Sequence, residues 1–454
     1  MKVAVKCCVL WLAFGTVTGV HAGTLDDLKR SCFERASFHE GKHWLEECLE
    51  EIITLKPVHP AFRTIAPGTG VGLGIGVDRL WHRGEREFLP SGMMLVSPDG
   101  SLLARADFTI ALPPISFMHV PVEDKNGPHL HGKTRLALVV DPLDIDAKAS
   151  ISFRSYWMDA KRQDFYGVGP LTTQSGLAFY GLEQGSVGFT ANDPITPWAE
   201  AGFSADFFRP RVISVPNASR PSIEQAYNAT TAPGLGQHSD YMRYEPYLRF
   251  RFKFLGHRTH FTDLKVGYAF YQELGQSTFS FQRLSATSQT EYGIELPSEG
   301  TASHRTAWKN FLCPPLRGAR HCSMGTLTFV GHVAAAYTGA GSVVPFYFQE
   351  TLGGADIDGN DTLRGFVDYR FRGPSRMLFQ AEYRHGIWGP LGFLSFYDVG
   401  RVAQRPSDIA FEHMRHDIGV GLTISATNRV VMRMYVGFGT GEGIRPNYKF
   451  GGAL

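Results

Sequence analysis

The sequence predicts an all-β fold, a transmembrane antiparallel β-barrel of about sixteen strands behind a short N-terminal helical segment. Three observations predict it. The 454 residues hold 50 Gly, 33 Phe and 17 Tyr with 26 Pro, a composition of short strands and turns rather than helices. Segment after segment alternates apolar and polar side chains with a period of two. Beyond the leader, no apolar stretch approaches the roughly 20 residues a spanning helix requires, so a helical membrane protein is excluded.

The elements follow in chain order. Residues 1–22 read as a cleaved secretory signal: Lys2 and Lys6 precede an apolar run from Cys7 to about Val20, and the small Ala22 stands before an abrupt polar switch. Residues 23–60 form the expected helical segment, a periplasmic piece or a plug of the lumen. In "TLDDLKRSCFERASFHEGKHWLEECLEEIITL" apolar residues recur at three and four, and Pro57 and Pro60 end the pattern. Residues 61–454 are the expected barrel.

In "YLRFRFKF", Leu248, Phe250, Phe252 and Phe254 alternate with Tyr247, Arg249, Arg251 and Lys253. "FQAEYR" sets Phe379, Ala381 and Tyr383 against Gln380, Glu382 and Arg384, and "RVVMRMYV" repeats the rhythm over 429–436. Similar segments lie at 68–80, 102–112, 134–141, 149–158, 195–208, 263–273, 325–337 and 391–402. A soluble sandwich also alternates. Charges deep within long strands are nevertheless costly in a sandwich core and are solvated in a wet barrel lumen, which favours the barrel. The segments 210–240 and 285–324, rich in Ser, Thr, Pro, Gly and Asn, read as the longest loops.

Several motifs carry less than their pattern suggests. "GPHLHGKT" at 127–134 fits a phosphate loop, but the following "TRLALVVDPLDID" reads as a strand, so Lys133 and Thr134 start a strand and no nucleotide is expected. The formal charge of +2 argues neither for nor against nucleic acid, and none is expected as a partner. No Gly-x-Ser-x-Gly elbow is present, no enzymatic activity or cofactor is expected, and His332 reads as structural. Cys32, His39, His43 and Cys48 do not make a metal site on one helix, where Cys48 faces away from the other three. On such a helix Cys32 and Cys48 stand about 24 Å apart, and pairing them needs a break at Gly41. Cys313 and Cys322 flank the turn-rich "PPLRGARH" and form the candidate disulfide; two thiols in a solvated loop are the alternative. The sequons at Asn217 and Asn228 matter only in a eukaryotic secretory route.

The C-terminal run "DTLRGFVDYRFRGP", "MLFQAEYRHGIWGPLGFLSFYDVGRV", "GVGLTI" and "YVGFGTGEGIRPNYKFGGAL", with "DFYGVGPLTT" upstream, resembles the BamA/TamA-type outer-membrane assembly-factor superfamily, also called bacterial surface antigens. The match is carried by Leu363-Arg364-Gly365-Phe366 and by Phe396-x-Asp398-x-Gly400. It implies a long external loop folded back into the lumen, its Arg364 paired with Asp398 and Glu382, Gly365 allowing a tight bend and Phe366 packing on the lumen wall. It also implies a bacterial outer-membrane location, and as partners outer-membrane lipid, lipopolysaccharide, client outer-membrane proteins or a periplasmic protein. The chain departs from the family in having only some 40 residues before the first strand, which leaves no room for polypeptide-transport-associated modules, and in ending at Leu454 rather than an aromatic. The function so implied is a gated barrel aiding insertion or translocation of proteins or lipids, opening between Gly-rich first and last strands ("GTGVGLGIG", "YKFGGAL"). The alternative is a passive pore whose cationic row Arg249, Arg251 and Lys253 favours anions, or a lumen in which the same row pairs with Glu200 and Asp206 and fills the barrel.

Overall fold

The computed structural model describes residues 58–450 apart from 113–140, 143–147, 254–259 and 298–320 and the short stretches 85, 197, 217, 276, 357–358, 389–390 and 427–428. Sixteen strands among these residues form one nearly closed antiparallel barrel. They are β1 Val58–Thr64, β2 Val71–Asp78, β3 Arg86–Val96, β4 Leu102–Leu112, β5 Ala149–Phe165, β6 Ala178–Thr196, β7 Ala199–Ile213 and β8 Asp240–Lys253. The second half is β9 His260–Leu274, β10 Phe281–Pro297, β11 His321–Thr338, β12 Ser375–Trp388, β13 Leu391–Ala403, β14 Arg415–Ala426, β15 Arg429–Gly439 and β16 Gly443–Phe450. Each pairs with its sequence neighbours, and Trp81–Arg83 prolongs the β2 side of the β3 ladder. The helical content of the described residues is minimal, chiefly Ile223–Ala226 in the β7–β8 connection.

The period of two sorts the two faces. On β14, Ile418, Val420 and Leu422 are exposed while the intervening Asp417, Gly419 and Gly421 face inward. On β13, Phe396, Asp398 and Gly400 are buried and Tyr397 points out. Leu73, Ile75, Phe153, Val187, Leu248 and Phe329 continue the outward apolar surface around the barrel. In water so large a patch would be a liability; around a barrel it is the band that meets hydrocarbon.

Consecutive antiparallel strands put alternate connections at opposite ends. The end bearing 166–177, 214–239, 339–374 and 404–414 is closed by an aromatic core in which Phe346 packs edge-on to Phe165 at 5.2 Å and Tyr180 at 5.1 Å, while the Tyr241 and Tyr347 hydroxyls meet at 3.0 Å. Below this plug lies a polar lumen cavity of about 820 Å³, lined among others by Arg154, Glu245, Lys265, Gln289 and Arg384.

Some expectations require correction. The segment 285–324 is not one loop: residues 285–297 belong to β10, which is laddered on both sides, to β9 and β11. Its Ser285, Thr287 and Gln289 face a wet lumen, so the strand needs no apolar alternation there. Residues 58–60, expected in the helical segment, belong to β1, with Pro60 in register opposite Ile75 on a strand at the margin of the described sheet, where proline is tolerated. The signal, the helical segment with Cys32, His39, His43 and Cys48, the phosphate-loop-like 127–134, Asn217 and Cys313 lie outside the described residues, and so does any pairing of Cys313 with Cys322.

β1 pairs with β2 and β16 with β15. The two terminal strands lie alongside each other, yet among the described residues no backbone ladder joins them.

Candidate functional site: a loop latched inside the barrel

Residues 339–374 connect β11 to β12 by way of the lumen. The segment folds on itself through a short ribbon, Glu350–Leu352 with Phe371–Gly373. Between these arms, Gly354 adopts φ 56°, where a Cβ would lie 1.9 Å from Asp368 Oδ1, so only glycine closes the turn. Leu352, Leu363, Phe366 and Phe371 then pack with Leu378 of β12 and Val402 of β13 as a small core between loop and wall.

Arg364 sits at the tip. Its Nε and Nη2 donate to Asp398 Oδ2 and Oδ1 at 2.8 and 2.7 Å, its backbone N–H donates to Asp398 Oδ2 at 3.2 Å, and Nη1 donates to Glu382. The guanidinium lies 3.8 Å over the Phe396 ring, which is itself braced edge-on by Tyr435 at 5.3 Å. Arg364 is 2% exposed and Asp398 0%, so the fork is withdrawn from solvent. Burial works against the charge on Arg364, but Asp398, Glu382 and Asp361 outweigh it and hold the guanidinium charged well above its ordinary range.

Gly365 is needed for a reason other than a bend, since its φ is not positive. A Cβ there would fall 2.6 Å from Asp417 Cβ and 2.7 Å from the Gly439 nitrogen; one on Gly437 would fall 2.8 Å from Gly365 Cα. The loop backbone thus lies directly on β15, in a slot made by glycines on both partners. Phe366 packs edge-on to Phe371 at 5.4 Å and borders Gly439. Gly400 leaves room for Leu352, whose Cδ1 would stand 3.0 Å from a Cβ.

The structure therefore brings Leu363, Arg364, Gly365, Phe366, Glu382, Phe396, Asp398 and Gly400 together, and keeps the cationic row apart from them. Arg249 of the row is held by Asp263, with Nε at 2.9 Å, and Arg251 by Glu200 at 3.2 Å. Lys253 ends the same lumen-facing series, at the end of β8 away from the plug. Asp206 binds Arg154 and Arg243 instead of the row. His332 hydrogen-bonds Thr287 at 2.9 Å, and no group of metal-ligating residues occurs among the described residues.

Sequence reasoning missed several members. Asp361 receives Lys449 Nζ at 2.7 Å and Arg433 Nη1 at 3.2 Å, and Gln380 donates to the Thr362 carbonyl at 2.8 Å. Arg370 is paired with Glu442 and donates to the Thr172 carbonyl at 2.8 Å. Arg372, 1% exposed, donates to the Phe346 carbonyl at 2.6 Å and the Tyr180 hydroxyl at 3.1 Å. In "DFYGVGPLTT", Gly169 at φ 123° donates to the Arg372 carbonyl at 2.7 Å. No sequence signal marked these members, since charged residues in a connection read as solvated.

Asp368 supplies a pH dependence. Burial, with the charges of Asp164 and Asp361, pushes its carboxyl up to about 6 despite the Ala355 N–H it accepts at 3.0 Å. Because the folded value is raised, the contribution to loop stability is complete below the ordinary carboxylate pKa of about 3.9 and is lost as pH rises through 6. Hydrogen-exchange protection factors in residues 353–369, with the intrinsic pH dependence of exchange divided out, are therefore expected to fall between about pH 4 and 6 and to level off above, and Asp368→Asn to flatten that fall.

No protein-family model and no curated protein matches the chain. Among solved structures, BamA from Haemophilus ducreyi lacking POTRA domains 1–3 overlaps with TM-score 0.48 at 11% identity, over 94% of this chain and 80% of that one. CdiB from Acinetobacter baumannii gives 0.45 at 13%, over 85% and 56%, so the chain spans little more than half of that protein. OprD from Pseudomonas aeruginosa gives 0.31 at 11%, over 84% and 87%. At these scores the overlaps fix neither a family nor a function.

Proposed function

We propose that this chain is a gated barrel of the bacterial outer membrane that helps proteins or lipids into or across that membrane without catalysing a reaction. The loop 339–374 is the lock and the β1–β16 margin is the gate. One observation carries the reading: a loop pinned in the lumen by a buried, fully paired arginine faces a barrel whose first and last strands share no ladder among the described residues. A passive channel needs neither feature. The signal at 1–22 and the apolar exterior support export to a membrane crossed by strands. The partners proposed are outer-membrane lipid, lipopolysaccharide and a client polypeptide.

Planar-bilayer recording tests this reading. The refolded protein is expected to be nearly closed, and Arg364→Ala to give open or noisy traces. Cysteine pairs scanned across Val58–Thr64 and Gly443–Phe450, with Cys32, Cys48, Cys313 and Cys322 replaced by Ser, are expected to cross-link and to abolish any assistance given to a second barrel protein folding into liposomes. A steady open pore, indifferent to both changes, would make the anion-favouring porin reading the better one.

A further inference from the structure

We propose that Asp361 is the positioning residue through which the lumen loop holds the terminal hairpin β15–β16 in the barrel wall, so that the lock and the gate are one mechanical unit. The inference rests on the gated reading and adds to it the part that connects loop to seam.

The wall treats its last hairpin differently from the rest. β12 and β13 are laddered on both sides, whereas β16 has a described ladder only to β15. The grip of Arg364 falls on β12 and β13, strands that need no help to stay in place. Three residues earlier in the chain, Asp361 reaches the opposite way, to Lys449 on β16 and Arg433 on β15. These three side chains are 12%, 23% and 29% exposed, enough shielding for the attraction to exceed that of a surface pair.

Two further contacts reach the same hairpin. Gly365 lies against Gly437 and Gly439 of β15, and Arg370 pairs with Glu442 in the β15–β16 turn. The hairpin is thus held at its turn, along its first strand and near the end of its second, each time by the loop. Lys449 and Asn447 share the lumen face of β16, while Ile444 and Tyr448 point outward, so the strand can be held by charge on one side only. Asp361 is the contact that reaches the seam strand itself.

The test places spin labels at Phe62→Cys and Tyr448→Cys, both outward and exposed, in full-length protein in liposomes with the native cysteines replaced by Ser. Pulsed dipolar spectroscopy then reads the width of the seam. Asp361→Asn, which keeps the shape and removes the charge, and Lys449→Gln are each expected to raise the wide-seam population on the order of tenfold, the loss of about 1.4 kcal/mol of hold. Together they should add little to either alone. Arg249→Gln breaks a lumen pair outside the loop and should leave the distances unchanged. If Arg249→Gln widens the seam equally, the effect is general loosening and the inference is overturned. If Arg364→Ala widens the seam while Asp361→Asn and Lys449→Gln do not, the loop acts by another route; the inference fails and the gated reading stands. If no variant widens it, both fail together.

Discussion

Arg364→Ala is expected to release the loop from the lumen and to be the most damaging single change in the described barrel. Removing the guanidinium leaves Asp398, 0% exposed, and Glu382, 9% exposed, without their principal partner. Breaking a buried ion pair from one side costs about 3–5 kcal/mol, because the surviving charge stays desolvated. Arg384 and Arg433 lie 3.3 and 3.8 Å from Glu382 and can take over part of its compensation, whereas Asp398 keeps only uncharged donors, the backbone N–H of residue 364 at 3.2 Å and Gln380 at 3.3 Å. Asp398→Asn added to Arg364→Ala should therefore recover stability without restoring the lock. Heat-modifiability on gels would read barrel stability, and channel recording would read the lock. Arg364→Lys should rescue poorly, since an ammonium cannot reproduce a fork that serves two carboxylates and also lies flat on Phe396.

Gly365→Ala is expected to reach a similar end by sterics alone. Its new methyl would meet β15 backbone at 2.7 Å and Asp417 at 2.6 Å, and neither belongs to the far end of a flexible side chain. Overpacking commonly costs about 1–3 kcal/mol, and here relief requires the whole tip to back away. Since that retreat also unseats Arg364, the double variant with Arg364→Ala should show less than the sum of the two single effects. The reciprocal changes Gly437→Ala and Gly439→Ala, at would-be contacts of 2.8 and 2.6 Å to Gly365, should give the same loss from the other partner. Channel recordings of the four variants would compare them directly. Normal gating in Gly365→Ala would remove the glycine slot from the lock.

Much of this was legible before any coordinates. Alternation placed β8, β12, β13 and β15, because each lies between lipid and water and needs opposite chemistry on its two faces. Parity put Asp398 on one face with Phe396, and the family resemblance around Arg364 named the residue that meets it. β10 was illegible because Ser, Thr and Gln dominate the strand, and nothing in "SATSQTEY" distinguishes a lumen-lining strand from a loop. The need for glycine at 365, 437 and 439 was hidden for another reason. Close approach between backbones is a property of two segments together, and either segment by itself shows only a glycine. Asp361 with Lys449 is of the same kind, since the pair depends on the loop's path through the lumen.

The loop's anchors come from both sides of it along the chain. Arg370 and Arg372 reach back 198 and 192 residues to Thr172 and Tyr180, while Arg364 and Asp361 reach forward 34 and 88 residues to Asp398 and Lys449. Contacts so distant in sequence form late, after the intervening chain has found its place. The aromatic half of the loop's seat lies on strands that precede it in the chain, whereas the partners of Arg364 and Asp361 lie on strands that follow it. The loop can therefore dock only halfway until the last hairpin arrives, and arrival of Lys449 reports that the wall is complete. In the order of assembly, the contact that restrains the finished seam is also the one that cannot form until every strand is present.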